Sequence, residues 1–368
     1  MIPLKTKGIA HNITEDILAK IIPNKNKSDI LCYSPTINGE VQLTESEITS
    51  TKLKAVYNIL SVDHLEQDDI ILIKPNGTIY TFFRNKSEHN SLFITNRCNS
   101  NCLMCSQPPK NYDDLDYFYR INCQLISMIP ITTQGLGITG GEPTLLGKRL
   151  INLLELIVSQ LPETNLHVLT NGRSFAWKNV TTAISKVESS RILFGIPLYS
   201  DYFQEHDYIV QAKNAFNQTI LGLHNMARYN LRTELRIVLH KKTYKRLPKL
   251  AQFIYKNLPF VEHIAFMGLE YTGYTPRNDK VLWIEPSEYS DQLEEATYYL
   301  EEMGMKVSIY NLPLCLLKQS LWKFSKNSIS DWKREYFKEC NKCDLLENCG
   351  GIFASSKKHS NEISAIHI

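Results

Sequence analysis

The chain has 368 residues, 43% of them hydrophobic, with 41 Lys and Arg against 38 Asp and Glu for a formal charge of +3. That apolar content suffices for a full-sized core in one to three domains and excludes a disordered chain, while the even charge leaves no footprint of a nucleic-acid or anionic-membrane partner. No run approaches the roughly 18 apolar residues of a membrane span, and the opening MIPLKTKGIAHNITEDI lacks the apolar centre of a signal peptide, so a cytoplasmic protein is expected.

In chain order, residues 1–88 predict a small β-rich N-terminal domain. Its clearest feature is a pair of β-rich runs, 69–74 and 78–84, around Pro75-Asn76-Gly77, where Asn-Gly offers the positive φ angles of a tight hairpin. The polar stretch 85–90 reads as a linker. Residues 89–304 alternate short apolar runs with amphipathic stretches, the pattern of repeated βα units in an α/β fold. Strands are expected near 92–95, 135–139, 166–170, 192–197, 233–239 and 263–267, with helices over 146–160, 212–229 and 244–257. Six units are too few to close an eight-stranded barrel, so a partial (β/α)6 barrel follows. Pro286 opens a further helix over 287–303, and 305–310 predicts a last strand leading into a cysteine-rich extension, 305–368. No internal repeat or low-complexity tract is evident.

Nine cysteines in a chain expected in a reducing compartment read better as metal ligands than as disulfides. Cys32 and Cys123 stand alone and are expected to be small buried hydrophobes. Cys98, Cys102 and Cys105 form CxxxCxxC directly after the first barrel strand. Three thiolates leave one iron of a [4Fe-4S] cube open to a ligand; the rival is a structural zinc loop completed from elsewhere. Cys315, Cys340, Cys343 and Cys349, followed by Gly350-Gly351, make a complete set of four, suited to an auxiliary [4Fe-4S] cluster with no open iron or to a four-thiolate zinc site. Cys315 comes to that set from a separate loop.

CxxxCxxC, followed after the second strand by Gly140-Gly141-Glu142-Pro143, resembles the radical S-adenosylmethionine (SAM) superfamily. The resemblance implies that the open iron chelates the amino and carboxylate groups of SAM's methionine, and that one electron then yields a 5′-deoxyadenosyl radical that abstracts hydrogen from substrate. It assigns the Gly140–Pro143 turn to the SAM methionine, with Glu142 at its ammonium. It also places the Met104 backbone, where the superfamily usually carries an aromatic residue, at the adenine edge. Asn171 at the end of the third strand, Ser200 after the fourth and Arg236 on the fifth would surround the ribose and carboxylate. Each has a plain structural alternative, since Asn-Gly also caps turns and an inward Arg can be a buried ion. Glu270, after the sixth strand, either faces substrate or is solvated. No catalytic side chain beyond the cluster ligands is assigned. The C-x2-C-x5-C core resembles part of the SPASM/twitch extensions of peptide-modifying members; position 353 is Phe, so one auxiliary cluster is expected and not two.

The strings CNSNCLMCSQPPK, FMGLEYTGY, SIYNLPLCLL, SISDWKREY and CGGIFAS, between about residues 70 and 355, together resemble the His-Xaa-Ser system maturase of the HxsC type. That resemblance implies a peptide or protein substrate supplied in trans, a partner maturase and a flavodoxin- or ferredoxin-type electron donor, with the N-terminal domain recognising a leader or merely packing. The alternatives are a radical SAM enzyme acting on a small molecule or nucleotide in cofactor biosynthesis, and an iron–sulfur or zinc protein that binds partners without catalysis.

Overall fold

The computed structural model describes residues 2–23, 28–48, 53–187 and 190–368. Its first 83 residues supply eight strands: β1 (Lys5–Lys7), β2 (Ile9–His11), β3 (Ile17–Ile21), β4 (Asp29–Ser34), β5 (Gly39–Thr44), β6 (Lys54–Tyr57), β7 (Ile70–Ile73) and β8 (Thr78–Phe83). They join one sheet in the order β1-β8-β7-β3-β4-β5-β6-β2. Strand alternation sends the two faces to different cores. Ile17, Ala19, Ile71 and Ile73 close a core within this sheet, whereas Leu18, Ile70, Leu72 and Phe83 join the core of the rest of the molecule. This double burial explains why β7 reads as an unbroken apolar run.

The β7–β8 hairpin falls where expected, but its turn differs. Only Gly77 has a positive φ, at 78°, while Asn76 caps the turn by accepting the Thr78 N–H at 3.0 Å. Residues after β8 do not trail as a linker: Asn90 accepts the Arg84 N–H at 2.7 Å and donates to the carbonyls of Arg84 and Ser87.

The second sheet is parallel and follows sequence order: β9 (Ser91–Phe93), β10 (Gly135–Thr139), β11 (Asn165–Leu169), β12 (Ile192–Pro197), β13 (Arg232–Val238), β14 (His263–Met267), β15 (Val307–Tyr310) and the two-residue β16 (Ser325–Lys326). The six expected barrel strands are present. The seventh, assigned from sequence to the extension, pairs with β14 from Ile264↔Val307 to Met267↔Tyr310, because the crossover through the long helix before it returns to the same sheet.

Among the described residues eight α-helices lie between or after these strands: α1 (Leu115–Ile126), α2 (Lys148–Gln160), α3 (Lys178–Ser185), α4 (Phe203–Val210), α5 (Ala215–Arg228), α6 (Leu247–Asn257), α7 (Asp279–Leu282) and α8 (Pro286–Glu302). On α2 the stripe Leu150, Leu153, Leu154 and Ile157 is buried, the spacing of one helical face. α8 starts from a capping box between Glu285 and Glu288 with Pro286 in the first turn. The helix expected over 212–229 is α5, and Gln211 (φ 51°) and Asn214 (φ 59°) take left-handed conformations that separate it from α4.

On one face of the parallel sheet Val168, Phe194, Leu235, Ile237 and Phe266 are buried with the helices. Registered positions on the opposite face carry Gly195, Glu234 and His263, then Arg236 and Ser308. The sheet thus presents an apolar side to its helices and a polar side to the interior of the partial barrel.

α5 is seated by a glycine. A Cβ on Gly222 would lie 2.4 Å from the Gly172 carbonyl oxygen, in the turn that ends β11. Gly222→Ala is therefore expected to push α5 off that turn and lower unfolding free energy by about 1–3 kcal/mol, read from the urea midpoint.

Candidate cluster and cofactor site

The cysteine loop leaves β9 and is locked to the turn after β10 by main-chain bonds. Gly141 N–H donates to the Thr95 carbonyl at 2.7 Å and Glu142 N–H to the Arg97 carbonyl at 2.8 Å. Side chains could not fit here: a Cβ on Gly141 would stand 1.9 Å from the Arg97 oxygen, and Gly140, at φ 147°, would place one 2.8 Å from the Thr95 oxygen. Both glycines thus permit a close approach between two stretches of chain.

Glu142 is fully buried, and its carboxylate accepts from Thr144 N (3.0 Å), Thr144 Oγ1 (2.6 Å), Thr170 Oγ1 (2.5 Å) and Asn171 N (2.7 Å). Four donors satisfy the buried charge and tie the ends of β10 and β11 together. Asn171 continues the chain of contacts, its Nδ2 donating to Asn99 Oδ1 of the cysteine loop at 2.5 Å. Arg173 adds bonds to the Asn99 carbonyl and, at 3.0 Å, to Ser100 Oγ. Ser200, also fully buried, donates to Glu205 Oε2 at 3.0 Å and accepts from Tyr202 N at 3.2 Å.

The three thiols are free and half-buried. Burial, then the Glu142 carboxylate, pushes Cys98 up to about 11, and burial followed by the neighbouring thiols raises Cys102. Burial also raises Cys105. An all-sulfur donor set suits iron–sulfur or zinc, and metal binding would deprotonate thiols that the protein alone keeps neutral. Among the described residues, no three His, Cys, Asp or Glu side chains are drawn together as one bound metal ion would hold them.

α4 props up the loop from beneath. Asn101 N–H donates to the Val210 carbonyl at 3.0 Å and Leu103 N–H to the Ile209 carbonyl at 2.9 Å. Met104 is buried in an apolar cluster with Tyr199, Ile209, Val210 and Leu282, so its side chain is a packing element. Tyr199 stacks on His206, whose Nδ1 accepts the Tyr199 N–H at 3.3 Å, and its ring lies 6.1 Å from that of His240. Burial pulls His206 down to about 4 and His240 to about 3.

Inside the barrel, Arg236 Nη1 donates to Glu234 Oε1 at 2.8 Å. His263 bridges Glu234 Oε2 at 2.8 Å and Ser308 Oγ at 2.9 Å, and His167 Nε2 stands 3.4 Å from Glu234 Oε1. Burial alone would raise Glu234; the His167 and His263 imidazoles and the Arg236 guanidinium outweigh it and hold the carboxyl well below its usual range. Of this group the sequence analysis singled out only Arg236. The available signal was polar side chains in parallel strands, which are usually apolar throughout. Glu270 is not solvated: it accepts from Ser355 Oγ at 2.5 Å and lies 3.6 Å from Lys333 Nζ, tying the barrel to the C-terminal extension.

Cys315, Cys340, Cys343 and Cys349 are free and all line one small cavity. The last residues of the chain cover it: Ile366 N–H donates to Cys343 Sγ at 3.4 Å, the Ser364 main chain bonds Cys315, and Asp344 N–H donates to the Ile366 carbonyl at 3.0 Å. Cys32 is fully buried in β4 as a small apolar side chain, and Cys123 is half-buried on α1.

The two buried histidines set a pH dependence. The unfolded chain takes up protons near the ordinary value of 6.5, while the folded chain refuses them until about 4 at His206 and about 3 at His240. Stability is thus complete above 6.5 and falls as pH drops toward 4, by on the order of 1 kcal/mol per pH unit for each histidine. Urea midpoints at pH 7.5 and 5.0 check the slope, and His206→Gln should flatten it.

Comparison with known proteins places this architecture. An uncharacterized protein of Methanocaldococcus jannaschii is 27% identical over 229 residues, 59% of this chain and 71% of the relative. A second protein of that organism, provisionally named a glycyl-radical enzyme activating enzyme, is 26% identical over 200 residues, 51% of this chain; the chain spans about half of that relative's length, 52%. The solved structure of anSMEcpe with bound AdoMet and Cp18Cys peptide shares the fold at a TM-score of 0.50 and 14% identity, over 74% of this chain and 91% of that one. Among the described residues no helix is long and apolar enough to cross a membrane. Residues 92–254, which hold the CxxxCxxC loop, the Gly140–Pro143 turn and five strands of the parallel sheet, match the family model of the Radical SAM superfamily.

Proposed function

We propose that the protein is a radical SAM enzyme that modifies, and in one form crosslinks, a peptide or protein supplied in trans, as a His-Xaa-Ser system maturase would. The observation that carries the reading is the loop of three free thiols held by main-chain bonds against the Gly140–Glu142 turn, at the end of the barrel strands where α/β sites are built. Cys98, Cys102 and Cys105 would hold a [4Fe-4S] cluster with one open iron, and that cluster with SAM would supply reductive cleavage to a 5′-deoxyadenosyl radical.

The chain's own residues would bind and orient. The main chain of Gly140, Gly141 and Pro143 would border the methionine end of the cofactor, while Glu142 acts behind it by fixing Thr144, Thr170 and Asn171. The Met104 backbone would meet the adenine, and Asn171 and the Ser200 turn would border the ribose. Arg236 is aimed by Glu234 and offers its remaining guanidinium donors to a carboxylate. The apolar cluster of Met104, Tyr199, Ile209 and Leu282 keeps water from beneath the loop. Cys315, Cys340, Cys343 and Cys349 suit an auxiliary [4Fe-4S] cluster, and a flavodoxin- or ferredoxin-type donor would supply electrons. Support for a peptide substrate comes from the HxsC-like strings and from anSMEcpe, solved with a peptide bound.

Anaerobic reconstitution tests the reading. About eight irons per chain are expected, and about four in Cys102→Ala or Cys343→Ala. Cys102→Ala abolishes 5′-deoxyadenosine release under strong reduction, whereas Cys343→Ala retains it. Release raised by a nucleotide and by no peptide would sink the peptide assignment; equal iron in all three proteins would sink the cluster assignment.

A further inference from the structure

A cleft of about 830 Å³ opens where the N-terminal sheet meets the parallel sheet. Several separate stretches of chain wall it. Tyr80 and Phe82 come from β8, Phe93 and Tyr112 from β9 and the segment after the cysteine loop, and Trp332 from the C-terminal extension. Trp332 is pinned there, its carbonyl accepting the Ile2 N–H at 2.9 Å and its neighbour Asp331 accepting from Ser87 Oγ at 2.6 Å. The cleft reaches Asn96 and Gln107, which flank the cysteine loop, and the Gln107 carbonyl accepts from Cys105 Sγ at 3.0 Å.

Two features say what the cleft would take. Among the described residues β9 pairs only with β10; on its other edge Asn122 Nδ2 donates to the Phe93 carbonyl at 2.8 Å, the rest of that edge has no partner strand, and Ser91 and Phe93 of β9 line the cleft. Open edges recruit extended chains through main-chain bonds, and aromatic walls suit alternate side chains. The second feature is Arg84, which lines the cleft at 6% exposure with Nε and Nη1 lacking any partner and its nearest carboxylate, Glu66, 4.0 Å away. A guanidinium with two buried nitrogens lacking acceptors and its third only 4.0 Å from Glu66 is unfavourable, so it marks a place for an anion. Arg84 lies at the end where β9 begins, its N–H donating to Asn90 Oδ1 at 2.7 Å. The opposite end carries Asp113 and Asp114, the latter committed to Thr95 and Asn96, and would repel a second anion.

We propose that this cleft docks an extended segment of the peptide substrate beside the β9 edge, with an acidic side chain on Arg84 and the residues beyond it led to the cysteine-loop end. The inference rests on the peptide reading above. β9 is three residues long, so about three residues of that segment, roughly 10 Å, lie along its edge.

The test uses the full, reconstituted chain and two decapeptide pools, degenerate except for one fixed Glu or one fixed Gln. A benzophenone amino acid replaces Tyr112 (52% exposed) or, as control, Trp177 (53% exposed) beside α3. The Tyr112 position is expected to capture the Glu pool about tenfold more than the Gln pool, and about tenfold more than the Trp177 position does. Arg84→Gln, which removes an unpaired buried charge, brings Glu capture down to the Gln level and leaves peptide-free 5′-deoxyadenosine release unchanged. Trp332→Ala, at the rim, lowers capture about tenfold. Equal capture of both pools, equal capture at both positions, or a Glu preference that survives Arg84→Gln overturns the proposal. Peptides that raise 5′-deoxyadenosine release while escaping Tyr112 overturn the cleft and leave the peptide reading standing. Release raised by a nucleotide alone overturns both.

Discussion

The site depends on two main-chain hydrogen bonds that only glycine permits. Gly141 and Glu142 donate to the carbonyls of Thr95 and Arg97, so the turn after β10 lies directly against the chain that enters the cysteine loop. With a Cβ at 1.9 Å from the Arg97 oxygen this contact is sterically closed. Everything else at the site is referred to that seam: Glu142 projects from it to β11, and Asn171 returns from β11 to Asn99 of the loop. The three thiols are thereby carried on a segment held from two sides by backbone, while α4 supports it from below.

Two buried carboxylates organise the interior by the same rule. Glu142 collects four donors and is spent on architecture. Glu234 lies among Arg236, His167 and His263 on the polar face of the sheet, where it orients a cation without neutralising all of its donors. A buried charge is tolerated only when paired, and which groups pair it decides whether it stiffens a turn or aims a neighbour into the barrel.

The C-terminal extension is integrated by contacts spread along the barrel rim. Glu270 accepts from Ser355, Tyr271 N–H donates to Ser356 Oγ at 3.0 Å, and Lys358 pairs with Asp279 at 3.0 Å. The four cysteines beyond β15 therefore sit in a fixed relation to the first three. The final residues then close over their cavity, and their main-chain donors meet sulfur at Cys315 and Cys343.

Periodicity and motif spacing were enough to read the β7–β8 hairpin, the six parallel strands with their helices and both cysteine groups, because each is set by neighbours within a few residues. Local order also hid some features. β15 reads as an isolated strand until its partner β14 is known. What only the tertiary structure decided is partnership across distance: Glu142 with Thr170 and Asn171, Glu234 with His263, Glu270 with Ser355, and several separate stretches of chain around one cleft. Residue type and spacing state which side chains can give thiolate, charge or hydrogen bond. Where those groups spend that capacity is set by packing between segments tens to hundreds of residues apart, and no local pattern encodes it.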